Sequence, residues 1–471
     1  MGIGNEYQYL KKHDMNNKSK IFGLLSLVVI LLTNCTKFLE EKSDKSLAES
    51  NTIEDLQALL NDWGYLNSEF ASMGEASSDD FFLTDQDYNS LYYESDKRLY
   101  SWRPDYVTRT ISGGGHEWWH CYKAIYVCNS ILKSIDDNNL TGREANEVRG
   151  QALVFRAARF LDGVQIWAPI YNQETASSDL GMVIRLDPDI TMPSVRSTVQ
   201  ETYDQILKDL EEAIPLLPTS SISAALPTKA GAYSLLARTH LYMGDYHLAL
   251  QYAEKALEYK DTLIDFNDLD QHANFPIPVT NQISQEVVLF TRMYGSNVVN
   301  NLNIAKVNPD LYSMYADNDL RKYIYFRPDN EGRFLFKGTH MGHTGLITGV
   351  TTAELLLIAA ESFARLDEIE NAAIMLNRLL VKRIDNRYFQ PYSFHDKQAA
   401  LQTILDERRK ELIFRGLRWV DIKRLNRDGA GIILRRTIGE ENFVLMPNDK
   451  RYAIALPEDV VEIAGIKQNP R

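Results

Sequence analysis

Residues 228–260 read TKAGAYSLLARTHLYMGDYHLALQYAEKALEYK. Apolar and small residues fall at helical steps on both sides of Gly244, and a glycine between two such runs closes a helix and starts a turn. Ala237, Gly244, Tyr246, Ala249, Ala253 and Ala256 mark where the two helices meet. Side chains this small let antiparallel helices approach closely. The stretch therefore predicts an αα-hairpin.

The same offsets recur in LLLIAAESFARLDEIENAAIMLNRLLVKR, at Ala360, Asp367, Ala372, Leu376 and Leu379. One copy alone is equally well an ordinary hairpin; two in register favour repeats of the tetratricopeptide kind, near 228–260 and 352–383. Repeat hairpins need neighbours to bury their faces. The helical segments at 141–167 and 198–217 supply them, and the patterns Thr141-Gly142-Arg143-Glu144 and Thr198-Val199-Gln200-Glu201 predict capped starts for both, as Thr52-Ile53-Glu54-Asp55 does for a shorter helix. Between the helices lie polar, aromatic-rich loops at 64–112, 170–197, 262–302 and 425–452. Loops of that length inside a compact chain are usually functional. The fold expected is mostly α, a repeat-like helical scaffold carrying a long-loop ligand-binding lobe.

The beginning of the chain bears on location. Lys18 and Lys20 precede IFGLLSLVVILL, and Cys35 follows soon after. The apolar run is short of the ~20 residues that span a bilayer and reads as a secretory leader, residues 1–34, with 35–471 as the mature domain. Its cysteine resembles that of a bacterial lipobox, so Cys35 is the expected lipidation site and the anchor to the membrane. Lys and Arg total 51 against 64 Asp and Glu, a net charge of −13. The leader carries four lysines against two acids, so −13 less +2 leaves −15 on the mature chain. A surface of that sign repels phosphate backbones, and nucleic acid is excluded as a partner. Apart from Cys35 there are only Cys121 and Cys128, too far apart on one helix to form a disulfide.

Several ordered motifs carry a family resemblance. Ile404-Leu405-Asp406-Glu407-Arg408-Arg409-Lys410-Glu411-Leu412 and Gly416-Leu417-Arg418-Trp419-Val420-Asp421-Ile422-Lys423-Arg424 resemble the C-terminal signature of the SusD/RagB family. Leu456-Pro457 with Gln468-Asn469-Pro470 resembles its end, and Arg156-Ala157 leading to Trp167 and Pro169 its middle. Arg415 departs from the glutamate usual before the glycine. The resemblance implies a surface-exposed outer-membrane lipoprotein that binds oligosaccharide and delivers it to a SusC-like TonB-dependent transporter. The alternatives are peptide capture, as in RagB-like members, or a scaffold that binds protein only. It implies no enzyme and no cofactor. Glu407, Glu411, Arg408, Arg418 and Arg424 are expected to form an inter-helix ion-pair network rather than an acid–base site.

His116-Glu117-Trp118-Trp119-His120 spells H-E-x-x-H. A catalytic zinc needs a third protein ligand, but Lys123 and Tyr126 occupy the places of the metzincin continuation, and Asn139 and Leu140 stand near where other zincins have their helical glutamate. Trp119, Tyr122, Ile125, Asn129 and Leu132 recur at helical spacing and predict a core-facing stripe instead. No metal is expected. Sugar rings present apolar C–H faces, so a glycan binder offers flat aromatics flanked by hydrogen-bonding groups. Residues 81–102 hold Tyr92, Tyr93 and Trp102, and the loop TRMYGSNVVNN holds Tyr294 and Asn297. The family is similar in drawing its ligand platform from these two regions, so these five residues are the expected ligand contacts.

Overall fold

Residues 51–108, 116–294 and 301–471 are described in a computed structural model of the chain; Cys35, Asn297 and the leader lie outside them. Helix α1 (Ile53–Leu60) starts at Thr52, whose hydroxyl accepts from Asp55 N. A short α2 (Met73–Ser77) follows, then the long antiparallel pair α3 (Glu117–Asp137) and α4 (Arg143–Trp167). The start of α4 departs from the expected cap. Gly142, with φ +100°, takes the cap position, and no side chain caps it. Thr198 does form the expected capping box with Glu201, opening α5 (Val199–Ala213).

The first hairpin is α6 (Lys229–Met243) and α7 (Tyr246–Tyr259). Gly244 turns between them with φ +85°, a left-handed geometry glycine takes at no steric cost. In the second hairpin, α8 (Thr352–Arg365) and α9 (Ile369–Leu380), Asp367 takes the same hand at φ +71°. Ala237, Ala249, Ala253, Ala256, Ala360, Ala372, Leu376 and Leu379 are all fully buried. The second hairpin packs on the first through α7 and α8, and Arg238 of α6 holds Glu354 of α8 with a bidentate pair at 2.8 and 2.7 Å.

The family motifs acquire structural reasons. Arg156 on α4 grips Asp209 on α5 at 2.8 and 2.7 Å and Asn129 on α3 at 2.9 Å, tying three helices together. Helices α10 (Lys397–Glu411) and α11 (Arg418–Arg427) carry the signature charges. Glu407 reaches Arg321 at 2.5 Å and Glu411 reaches Arg383 at 2.9 Å. Arg424 spans Glu361 and Asp421 at 2.6 and 2.7 Å, Arg408 holds Asp421 at 2.9 Å, and Arg418 pairs with Asp79 at 2.7 Å. The network is real, but most of its partners come from outside the motif. Among the described residues Arg415 has no ion-pair partner; its guanidinium donates to the carbonyls of Ile347 and Gly349. Lys423 donates to the carbonyls of Gln165 and Ala168 at 2.6 and 2.8 Å, closing the C-terminus of α4, and Asn469 reaches the Trp167 carbonyl at 2.8 Å.

The expected long loops are partly ordered. Residues 64–112 include α2 and short helices at Asp85–Ser90 and Glu94–Tyr100, and 425–452 contains an antiparallel hairpin of β-strands, Leu434–Ile438 with Glu441–Leu445. A small antiparallel sheet joins Phe81–Phe82, Lys306–Val307, Phe334–Phe336 and Phe326–Pro328 in that order. Among the described residues no helix is long and apolar enough to cross a membrane.

Candidate functional site

The H-E-x-x-H residues are committed to the fold. His116 is the N-cap of α3, its Nδ1 accepting from Trp119 N at 3.0 Å. Burial holds its pKa down, against the pull of Asp459 at 3.4 Å from Nε2. Glu117 points the other way. Its carboxylate accepts from Ser72 N, Ser72 Oγ and Met73 N at 2.9, 2.6 and 3.2 Å, capping α2. Among the described residues no group of three His, Cys, Asp or Glu side chains is placed to hold a metal ion. Cys121 and Cys128 are buried free thiols, both pushed up by burial.

Burial also raises Glu117, to about 7, although its three donors favour the charged form. A carboxyl whose pKa is raised by folding binds its proton more tightly in the folded state, so it makes stability fall as pH rises from its unfolded value through the folded one. Glu117→Gln removes that group. The variant is expected to gain on the parent as pH rises from 5 to 8, measured by urea unfolding at constant ionic strength. Parallel curves would contradict the assignment.

His120 faces a different neighbourhood. Its ring lies 4.9 Å from Tyr294 at 36° and 4.9 Å from Trp119 at 80°. Burial, then Arg159 and Lys123, lower its pKa to about 4, so at neutral pH it is an uncharged flat ring. Lys123 lays its ammonium 3.7 Å from the Tyr65 ring and 5.0 Å from that of Trp119. Trp119 is 37% and Tyr65 42% exposed. Tyr294 is held by backbone pairing: its N–H donates to Phe70 O, Phe70 N donates to Arg292 O, and Met293 N to Leu346 O. Trp119, His120 and Tyr294 thus form a chain of contacting rings, and the Lys123 ammonium links Trp119 to the Tyr65 ring.

Of the five expected contacts, Tyr294 stands in this row, half-buried. Tyr92 is 83% exposed and packs edge-on against Tyr93, centroids 4.7 Å apart, at the start of the helix Glu94–Tyr100. Trp102 requires a correction. It is 5% exposed, its Nε1 donates to Ser77 O at 3.0 Å and Arg436 covers its ring at 4.4 Å. An enclosed ring offers no face to a sugar, so Trp102 belongs to the core. Trp119 moves in the opposite direction. The helical spacing assigned it to the core stripe, yet its neighbour Trp118 is the buried one, edge-on to Trp167 at 5.0 Å. Adjacent residues on a helix point about 100° apart, so the two tryptophans face different surroundings, and the spacing picked the wrong one of the pair for the core. Tyr65, Lys123 and His120 had no sequence signal for the row.

Trp119 also borders a cleft of about 290 Å³, walled by Trp118, Tyr122, Ile125, Ile190 and Ile466. The hydroxyl of Tyr122 both donates to Val183 O and accepts from Val183 N, at 2.9 and 2.8 Å.

The helical-hairpin scaffold thus carries a cluster of partly exposed aromatic rings. Two family profiles match the chain: one described as "Starch-binding associating with outer membrane" over residues 37–241, the other as the SusD family over 348–453. The chain belongs to the SusD/RagB family. It is similar to SusD-like protein P2 of Formosa agariphila, 25% identical over 401 residues, covering 72% of this chain and 76% of that one. Its fold is shared with a SusD superfamily protein of Bacteroides thetaiotaomicron (TM-score 0.71, 20% identity, 89% of this chain and 100% of that one). It is shared too with a SusD-like carbohydrate binding protein of Bacteroides vulgatus (TM-score 0.66, 22% identity, 88% and 96%).

Proposed function

We propose that the chain is an outer-membrane lipoprotein, anchored through Cys35 and facing outward, that captures oligosaccharide and passes it to a SusC-like TonB-dependent transporter. The observation that carries the reading is the row of contacting rings Trp119–His120–Tyr294, with Tyr65 joined to it across Lys123. Flat rings stack on the C–H faces of sugars. The description of the N-terminal family profile and the carbohydrate-binding relative of Bacteroides vulgatus agree with a sugar as ligand. Tyr92 and Tyr93 are the next candidates, as an exposed pair outside the row. The chemistry is binding rather than catalysis: His116 and Glu117 of the H-E-x-x-H motif cap helices, and Glu407 and Glu411 are held in ion pairs.

A glycan and peptide array probed with the mature chain tests this. Oligosaccharides are expected to bind, and Tyr294→Ala or Trp119→Ala to weaken them by about two- to tenfold, taking a stacked ring to contribute up to ~1.4 kcal/mol. Peptide binding without glycan binding would move the chain to RagB-like capture. Binding of neither would leave a protein-binding scaffold.

A further inference from the structure

The cleft beside Trp119 differs in character from the row of rings. Most polar groups along its walls are occupied by the fold; the exception is His116, whose Nε2 has only the Asp459 carboxylate, at 3.4 Å. Tyr122 is bonded to Val183 in both directions, Asn129 Nδ2 donates to Arg185 O at 3.0 Å, and Arg185 donates to the carbonyls of Asp189 and Met192 and to Ser194 Oγ. What remains facing the space is mainly apolar: the Trp118 and Tyr122 rings, Ile125, Ile190 and, from the helix Glu458–Ala464, Val460 and Ala464. An apolar cavity of about 150 Å³ stays dry and takes benzene. At about 290 Å³ this one is large enough for a two-ring aromatic or a branched acyl group. At its mouth Asp187 and Asp189 are exposed. Two carboxylates there accept from hydroxyl groups and repel a free fatty acid or other anion.

The same indole serves both. Trp119 borders the cleft and meets His120 of the row and the Lys123 ammonium beside it. We propose that the cleft is a second subsite for a neutral aryl or acyl substituent carried by the glycan, so that the substrate class is a substituted glycan, its sugar stacked on the row and its apolar appendage lodged in the cleft. This rests on the glycan reading above and adds the substituent to it.

The experiment uses the mature chain with two cleft-filling variants on the rim helix, Ala464→Trp and Val460→Trp, each checked for an unchanged melting curve. Probes are 2-naphthol and a panel of methyl glycosides with the matching 4-methylumbelliferyl glycosides, measured by titration calorimetry. 2-Naphthol is expected to bind, and at least tenfold more weakly in both variants. For any sugar of the panel that binds, the umbelliferyl glycoside is expected to bind at least tenfold more tightly than the methyl glycoside. That advantage should vanish on filling, while the methyl glycoside keeps its parental affinity. Equal affinities for the two glycosides, an advantage that survives filling, or no 2-naphthol binding would overturn the proposal. Binding of 2-naphthol with no sugar bound from the panel or an array would instead overturn the glycan reading beneath it, which keeps the two failures apart.

Discussion

Arg321→Ala is expected to lower the stability of the chain by about 3–5 kcal/mol, the cost of leaving buried charges without their partner. Arg321 is fully buried and serves three carboxylates: Asp319 at 2.7 Å, Glu407 at 2.5 Å and Glu411 at 3.2 Å. Alanine removes the cation and keeps the acids. Lys410 and Arg383 still touch the cluster but together cannot neutralise three carboxylates while Arg383 also holds Glu286 at 2.8 Å. The effect carries a pH signature. Burial pushes the Asp319 carboxyl up, and Arg321 with Lys410 more than reverses this and holds it below its ordinary value. A depressed carboxylate contributes stability that is present at neutral pH and lost as pH falls through the folded value. The variant lacks most of that contribution, so its deficit should shrink toward acid pH. Arg321→Lys, one point charge in place of a planar fork, should fall between. Urea unfolding between pH 4 and pH 8 measures this; a deficit below 1 kcal/mol at pH 7 would refute the buried network as described.

Trp102→Ala should cost a similar amount, about 3–5 kcal/mol for emptying an indole site in a packed core, and should leave the glycan affinity of the folded protein unchanged. Tyr294→Ala should do the reverse, weakening glycan binding with its melting midpoint near the parent's. A second signature is local. Trp102 sits at φ +52°, a region that a bulky side chain rarely adopts. Trp102→Gly is therefore expected to be no worse than Trp102→Ala despite having the smaller side chain, because glycine takes that backbone without strain. Loss of glycan affinity in a fully folded Trp102→Ala would restore the residue to the ligand site.

The scaffold was legible where the information is local. The alanine offsets at 237, 249, 253 and 256 fix how closely two helices pack, and the Thr198–Glu201 box is complete within four residues. Thr141 failed as a cap because Gly142 could take the position itself, a choice between neighbours that spacing does not decide. The ion-pair network was half legible. Glu407, Glu411, Arg408, Arg418 and Arg424 are visible in one motif, but Arg321, Arg383, Glu286 and Glu361 are brought to them only by the tertiary fold. The site was the least legible part. Whether an aromatic ring is buried depends on what packs over it: Arg436 lies 334 positions beyond Trp102 in the sequence and covers its ring, while Trp119 is left uncovered.

The buried charges also constrain the order in which the chain can be assembled. Glu286, Arg321 and Arg383 are made before Glu411, and each loses its water only when the partner arrives. A chain that emerges N-terminus first can bring the alanine faces of its hairpins together early, but Arg238 of the first needs Glu354 of the second, and Glu361 of the second needs Arg424. It cannot seal the region around Arg321 until α10 has been delivered. Premature collapse there would strand guanidinium groups in an apolar interior, which costs several kcal/mol per ion. The late helix therefore acts as a latch: a polypeptide halted short of residue 411 lacks the carboxylate that Arg321 and Arg383 share, and is expected to leave both guanidinium groups short of a partner.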